Sequence, residues 1–363
     1  MTKGSEGGIP PAHTKEDVIR GDMENIWRRP YVNWSDLAGK TVLVTGSYGM
    51  LASYIVYFLM YLNTEKGIPV RVIAQGRQEA KAKEKFGAFW DNPDFEFVQY
   101  SLLDSWPVEG PIHYIVHAAS LASPQYYETK PVEVIEPNAI GTWQMLRLAK
   151  KCGTEGFLFF STGDIYGKVT DAELITEETV GTLDPLDAHS CYGESKRLGE
   201  TLCAAFYHEY GVRTVMVRIG HTYSPTMDIV HDPRVFASFM KCAVEGRDIV
   251  LHSDGSAQRP FCYIADAISA FLLVLLKGAG GEAYNVTNTE QFLSIRELAE
   301  VIAHIPEKPL GVTFLQRRSG ESYLNNPYNQ ENRPVETKLK ELGWSAEYDT
   351  KQGFSRVYRY LKG

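Results

Sequence analysis

The run Lys40-Thr-Val-Leu-Val-Thr45, followed at once by Gly46-Ser-Tyr-Gly-Met-Leu-Ala52, constrains this chain more than any other stretch. The first six residues form a short apolar run suited to a buried parallel strand. From Leu51 onward apolar residues recur at helical spacing, as Ile55, Phe58, Leu59 and Leu62. Small residues at 46, 49 and 52 let the backbone turn tightly between the two elements. Strand, glycine turn and helix in that order aim N–H donors and a helix dipole at a pyrophosphate. Gly46, Ser47, Tyr48, Gly49, Met50 and Ala52 therefore read as a dinucleotide-binding turn, against the plainer reading of an ordinary strand–helix connection.

The rest of the chain repeats the rhythm. Strand candidates fall at Val70–Ala74, Phe95–Tyr100, Tyr114–Ala118, Gly156–Ser161 and Thr214–Ile219, with helices near Gln78–Phe86, Asn138–Lys151 and Tyr192–Tyr210. This alternation predicts an α/β fold with a doubly wound parallel sheet and a smaller C-terminal substrate-binding lobe. Residues 1–39 read as an N-terminal extension packed on the outside, helical near 15–28. Residues 40–219 plus 262–288 form the dinucleotide-binding domain, and 220–261 plus 289–363 the substrate lobe, over the sheet edge where open α/β sheets bind ligands.

Composition narrows the partners. The net charge of −8 argues against nucleic acid or an anionic membrane, while leaving room for a local basic patch on a nucleotide. Five cysteines without Cys-x-x-Cys spacing read as buried thiols in a reducing, cytoplasmic compartment, with no zinc site and no metal. The apolar runs Tyr54–Leu62 and Ala267–Leu276 are far shorter than the ~20 residues of a membrane span. The N-terminus, with Lys3, Glu6 and Pro10, lacks the apolar core of a signal peptide.

Chemistry concentrates in Ser190-Cys-Tyr-Gly-Glu-Ser-Lys-Arg197. Tyr192 and Lys196 lie four apart, on one face of a helix. An ammonium beside a phenol favours the phenolate, lowers a pKa of about 10, and makes a general base for an alcohol. The chain holds 21 tyrosines, so about one Tyr-x-x-x-Lys is expected by chance. Tyr126/Lys130 and Tyr358/Lys362 share the spacing. Ser161-Thr-Gly-Asp-Ile-Tyr-Gly167 follows an apolar strand, so Thr162 can bond the same hydroxyl and Asp164 can serve as a second acid or base. At the end of the second strand, where a carboxylate would hold the adenosine ribose, the chain reads Gln75-Gly-Arg77. Arg77 suits a 2′-phosphate or a solvated helix start, which leaves NAD and NADP both open.

Five collinear motifs across about residues 40–350 resemble the extended short-chain dehydrogenase/reductase family of nucleotide-sugar epimerases, dehydratases and decarboxylases. They are Thr-Gly-x-x-Gly-x-x-Ala, Val116-His-Ala-Ala-Ser120, Asn138-x-x-Gly-Thr142, Ser-Thr-Gly-Asp-x-Tyr-Gly and Tyr-x-x-x-Lys. Their order selects Tyr192/Lys196 over the other two pairs. Ala122-Ser-Pro-Gln-Tyr-Tyr127, Ser190–Glu200 and Arg218–Pro225, continuing through Asp232–Val235 to Gly255–Tyr263, are most similar to the UDP-glucuronate decarboxylases.

The resemblance implies a Rossmann fold with NAD as cofactor, bound also by Leu102, Ala118, Ala119, Asn138, Ser161, Tyr192 and Lys196. It implies a nucleotide-sugar substrate held by Ser123, His221, Arg234 and Arg259, with Arg259 also catalytic, and a homodimer paired through the helices at Asn138 and Tyr192. His117 and Cys191 read as structural. Three departures bear on the reaction. Thr162-Gly163-Asp164 stands where decarboxylases usually carry Thr-Ser-Glu, His221 replaces an asparagine, and Ser224 and Thr226 replace a Gly and an Arg. Decarboxylation ranks first, 4-epimerisation second and 4,6-dehydration third. An NADPH-dependent carbonyl reductase and a non-catalytic cofactor sensor are the readings from other classes.

Overall fold

A computed structural model describes residues 14–104, 106, 107, 109–169, 174–315 and 333–363. Seven strands make the central sheet: β1 (Lys40–Thr45), β2 (Val70–Gly76), β3 (Phe95–Gln99), β4 (Tyr114–His117), β5 (Gly156–Thr162), β6 (Thr214–Ile219) and β7 (Ala283–Val286). They run parallel in the order β7-β6-β5-β4-β1-β2-β3. The chain lays down β1, β2 and β3 outward in one direction, then returns to place β4 on the other side of β1. The carboxyl ends of β1 and β4 thus flank a topological switch point, the place where such sheets open a ligand crevice.

Alternation along the strands explains the two-sided core. Val42 and Val44 face one apolar cluster with the helices Met50–Lys66 and Ile264–Lys277, while Leu43 faces the other with Thr142–Cys152 and Cys191–Tyr210. Buried runs such as Gly156–Thr162 have no exposed residue, as a sheet covered on both faces requires.

Residues 14–39 are more deeply integrated than an outer extension. The helix Lys15–Trp27 starts on a Thr14/Asp17 capping box and buries Met23 and Ile26 in the main core, where Trp34 and Leu37 join them. Two buried charges anchor it: Arg29 reaches Asp266 at 2.5 Å, and Asp22 reaches Arg356 at 2.7 Å. The tryptophan and leucine side chains supply enough apolar area to draw the segment inward. Residues 1–13 lie outside the described residues, as do 316–332 of the C-terminal lobe.

Beyond β6 the chain forms a smaller sheet from His221–Tyr223, Gln258–Tyr263 and Phe292–Ser294. Phe261 pairs with His221 in parallel register and Arg259 with Leu293 in antiparallel register. This places His221 and Arg259 on neighbouring strands. All five cysteines are free thiols. Among the described residues no helix is long and apolar enough to cross a membrane, and no cluster of side chains could hold a metal ion.

Candidate active site

The glycine turn closes directly against the end of β4. Gly46 has φ +61°, and a Cβ added there would lie 2.7 Å from the Ala119 Cα, so only glycine lets the two strand ends approach this closely. Gln75, buried at the end of β2, locks the turn from below. Its side-chain oxygen accepts from Gly46 N at 3.1 Å, its backbone oxygen accepts from Ser47 N at 2.9 Å, and its amide donates to Tyr100 O at 2.6 Å. The residue standing where a ribose-binding carboxylate was expected is thus spent on holding the loop. Arg77, next but one, is exposed, and its backbone N–H donates to the Tyr48 hydroxyl at 3.2 Å. The Tyr48 ring covers Gly76, whose added Cβ would meet it at 2.3 Å.

His117 braces the other lip. Thr142 donates its hydroxyl proton to Asn138 O at 2.6 Å, so it accepts from His117 Nε2 at 3.1 Å. His117 Nδ1 then accepts from Thr45 Oγ1 at 2.8 Å, and Thr45 Oγ1 in turn accepts from the N–H groups of Ala118 and Ala119. The chain of donors fixes one neutral tautomer. Burial, with the Lys196 charge nearby, drives the imidazole pKa down to about 3 and keeps it neutral. The structural role expected of His117 is what these bonds perform.

These residues fit a dinucleotide. The helix Met50–Lys66 begins without a side-chain cap, which leaves its first N–H groups open for a phosphate. Four buried polar atoms around the crevice have no partner: Ser47 Oγ, Ser120 Oγ, Ser123 Oγ and Asn138 Oδ1. Buried polar atoms rarely stay unpaired, so these four suit a polar ligand in the crevice. Met50 opens the helix, Ala52 is buried where the helix meets the sheet, and Leu102 packs on Gly141.

Tyr192 and Lys196 sit on the helix Cys191–Tyr210, both buried, beside the end of β5. Lys196 donates to Phe160 O at 2.6 Å and lies 5.8 Å from the Tyr192 ring centre. Burial lowers the lysine to about 7. The expected lowering of the Tyr192 phenol by Lys196 is absent in the chain on its own. Burial and then the Asp164 carboxylate push the phenol above its usual range, and only the Thr162 hydroxyl and Arg234 pull the other way. Desolvation outweighs a lysine whose ammonium points at a backbone carbonyl. Thr162 closes β5 and accepts from Asp164 N at 3.2 Å. Ser161 points away from the crevice and donates to Glu200 Oε1 at 2.5 Å. Asn138 lies in a π-turn, Pro137–Gly141, and donates to Ser195 Oγ at 3.0 Å.

The far end of the cleft is charged. Asp164 opens toward the cleft yet is enclosed by protein, and that enclosure raises its pKa while Arg259 and His189 draw it down. His221 is driven to about 3 by burial and by the charges of Arg259 and Arg234, so it is a neutral imidazole between two guanidiniums. Arg234 forks onto Asp232, at 2.5 Å for Nη2, and reaches Thr222 O at 3.4 Å. Arg259 Nη1 donates to Gln258 O at 2.7 Å.

Two neighbours escaped the sequence reading. The Tyr127 ring stacks on Tyr192 with centres 4.9 Å apart, and His189 meets Tyr127 edge-on at 5.7 Å. Tyr127 lay inside a quoted motif and His189 one residue before another, but periodicity carries no sign of a ring contact across 65 residues of chain.

The sheet, the switch-point crevice and a buried Tyr–Lys pair beside a strand-end threonine define a dinucleotide-binding enzyme of the short-chain dehydrogenase type. Residues 42–287 match the NAD dependent epimerase/dehydratase family, and the chain belongs to it. Arabidopsis thaliana UDP-glucuronic acid decarboxylase 6 is 31% identical over 313 residues, 86% of either chain. A Xenopus tropicalis UDP-glucuronic acid decarboxylase 1 is 28% identical over 89% of this chain and 72% of its own length. In fold, the UDP-glucose 4-epimerase of Thermotoga maritima superposes with TM-score 0.71 at 24% identity, over 88% of this chain and 98% of that one. The UDP-glucuronic acid 4-epimerase of Bacillus cereus, in complex with NAD, gives 0.70 at 21% identity, over 89% and 96%.

Proposed function

We propose that this chain is a nucleotide-sugar-modifying enzyme, a UDP-glucuronate decarboxylase in the first reading, with NAD recycled during turnover. The observation that carries it is the Thr162–Tyr192–Lys196 cluster set at the switch-point crevice of a chain 31% identical to such decarboxylases. NAD, when bound, supplies hydride acceptance at the sugar C4 and its later return. Gly46, Ser47, Gly49 and the start of the helix Met50–Lys66 hold its pyrophosphate, with Ala118, Ala119 and Asn138 lining the crevice. Arg77 is the residue through which a 2′-phosphate would be favoured.

The protein's own work is proton management and positioning. Thr162 orients the C4 hydroxyl and Tyr192 takes its proton. Lys196, one helical turn along the same face, helps hold the cofactor beside that phenol. A 4-ketone makes the C6 carboxylate of a uronic acid part of a β-keto acid, which loses carbon dioxide readily. Arg259 meets the carboxylate, and Asp164 manages the proton at the neighbouring carbon. Arg234 and His221, with Ser123, hold the diphosphate and sugar, since bidentate guanidinium contacts suit phosphate oxygens. Gly163, which removes the hydroxyl usual in decarboxylases, favours 4-epimerisation as the second reading.

We further propose that residues 40–219 plus 262–288 hold the cofactor and 220–261 plus 289–363 the sugar, in a cytoplasmic homodimer. The exposed Ile140, Trp143, Leu198 and Tyr207 on the two outer helices support pairing there.

The test is to incubate the purified protein with UDP-glucuronate and weigh the product by mass spectrometry. Loss of carbon dioxide, absent in Tyr192→Phe, supports decarboxylation. An unchanged mass with an inverted C4 moves the assignment to the epimerase, and an untouched substrate removes both readings.

A further inference from the structure

Below the Tyr–Lys pair lies a charged mesh that the chemistry above does not use. Glu200 stands four residues after Lys196 on the same helix, so Tyr192, Lys196 and Glu200 share one face. Arg218 of β6 forks onto it, with Nε to Oε1 at 3.0 Å and Nη2 to Oε2 at 2.8 Å. Ser161, adjacent to Thr162, donates to the same Oε1 at 2.5 Å. Arg218 Nη1 continues to the Tyr166 hydroxyl at 3.0 Å and to Glu177 O at 2.7 Å. Tyr166 then donates to Asn285 Oδ1 of β7 at 2.7 Å. One carboxylate thereby ties the Tyr–Lys helix, the strand end bearing Thr162, and the strand beyond it into a single unit.

We propose that Glu200, braced by Arg218, is the positioning residue that registers Tyr192 and Lys196 against Thr162 and keeps Lys196 cationic. The bracing is geometric first. The hydroxyl of Thr162 and the phenol of Tyr192 come from different elements, and the Ser161–Glu200 bond joins those elements within one residue of Thr162 and one helical turn of Lys196. A bidentate guanidinium–carboxylate pair holds Glu200 itself in one rotamer. Electrostatics acts in the same direction. Lys196 is lowered by burial, and Cys203 and then Glu200 work against that lowering. The other titratable groups around the ammonium are Tyr192 on its own helix and the neutral His117 on β4. From β5 it meets only the Phe159 ring and Phe160 O. Glu200 is thus the carboxylate that favours its charge.

This inference rests on the assignment of Tyr192 and Lys196 above, so its first arm uses a readout that needs no sugar. NAD affinity is measured by fluorescence titration across pH for the wild type, Glu200→Gln and, as a control, Lys196→Met. The wild type is expected to lose affinity as pH rises through about 7, and Lys196→Met to lose that dependence. In Glu200→Gln the midpoint moves down by about one pH unit, because an opposite charge is removed and Arg218 is left beside the lysine. Ser161→Ala leaves no buried charge unpaired and tests the geometric half even if Glu200→Gln fails to fold. Its kcat on UDP-glucuronate falls about tenfold with KM within twofold, as expected for misplacement of reacting groups. A Glu200→Gln midpoint equal to or above that of the wild type overturns the electrostatic half. A Ser161→Ala kcat within twofold of the wild type overturns the geometric half. Failure of the wild type to act on UDP-glucuronate would refute the assigned reaction, while the NAD titration would still decide the electrostatic role of Glu200.

Discussion

The two ends of the cleft are built from different materials. At the cofactor end the work is done by backbone and neutral groups: a glycine that admits Ala119, a glutamine that locks the turn, and a histidine held in one tautomer. At the substrate end the side chains are charged or pressed by charge: Asp164, Arg234 and Arg259, with His221 forced neutral between them. The first end tolerates little change, because Gly46 and Ala119 already stand as close as their backbones allow. The second is a set of side chains, each of which can be exchanged without moving the backbone.

Substitutions at the two ends should separate cleanly. The largest effect is expected at their meeting point, where Tyr192→Phe lowers kcat by about 10²–10⁴-fold while calorimetry shows NAD binding within twofold of the wild type. Next comes the cofactor end. Gly46→Val places a Cβ against Ala119 at a φ of +61°, costing about 1–3 kcal/mol of stability and abolishing NAD binding in the same titration. At the substrate end, Arg259→Ala raises KM for the sugar nucleotide about 10–100-fold, the scale of a lost charge-assisted hydrogen bond, with NAD affinity unchanged. If Arg259→Ala weakens NAD as much as substrate, the division between the two ends fails.

A smaller effect lies away from both. Asp22 is raised by burial from 3.8 to about 6, against the pull of Arg356. Its folded form therefore holds a proton more tightly than its unfolded form. The stability it contributes is full below about pH 4 and is lost as pH rises through about 6. Asp22→Asn removes that loss, so between pH 4 and 6 its unfolding free energy follows a slope different from that of the wild type, by about 1–3 kcal/mol in all. Parallel slopes in chemical denaturation would contradict the shift, and activity is unmoved in either case.

The glycine turn and the Tyr192/Lys196 pair were legible in the sequence because their logic is local. Strand, glycine turn and helix are contiguous, and Tyr192 and Lys196 share a helix face. Asp164, Arg234, Arg259 and His221 were legible only as a set of residue types. Arg234 forks onto Asp232 only two residues away, where residue types alone do not tell an ion pair from a guanidinium turned to a ligand. That His221 is neutral depends on burial and on Arg259, carried by a strand paired to its own across dozens of residues. Gln75 shows the limit from the other side. It stands where a ribose-binding carboxylate was expected, yet its side chain is spent inside the fold on Gly46 and Tyr100. The direction of the Tyr192 shift was misjudged for a related reason: spacing reveals a neighbouring lysine, while burial, which dominates here, is a property of the assembled core.

In the proposed cycle the sugar is oxidised and reduced at the same carbon while Tyr192 manages the proton. The deciding experiment uses UDP-glucuronate deuterated at C4, followed by mass spectrometry and NMR of the product. Retention of deuterium at C4, with turnover slowed by the label and no NADH accumulating, is the expected result. Loss of the label to solvent, or one NADH formed for each sugar consumed, would contradict it.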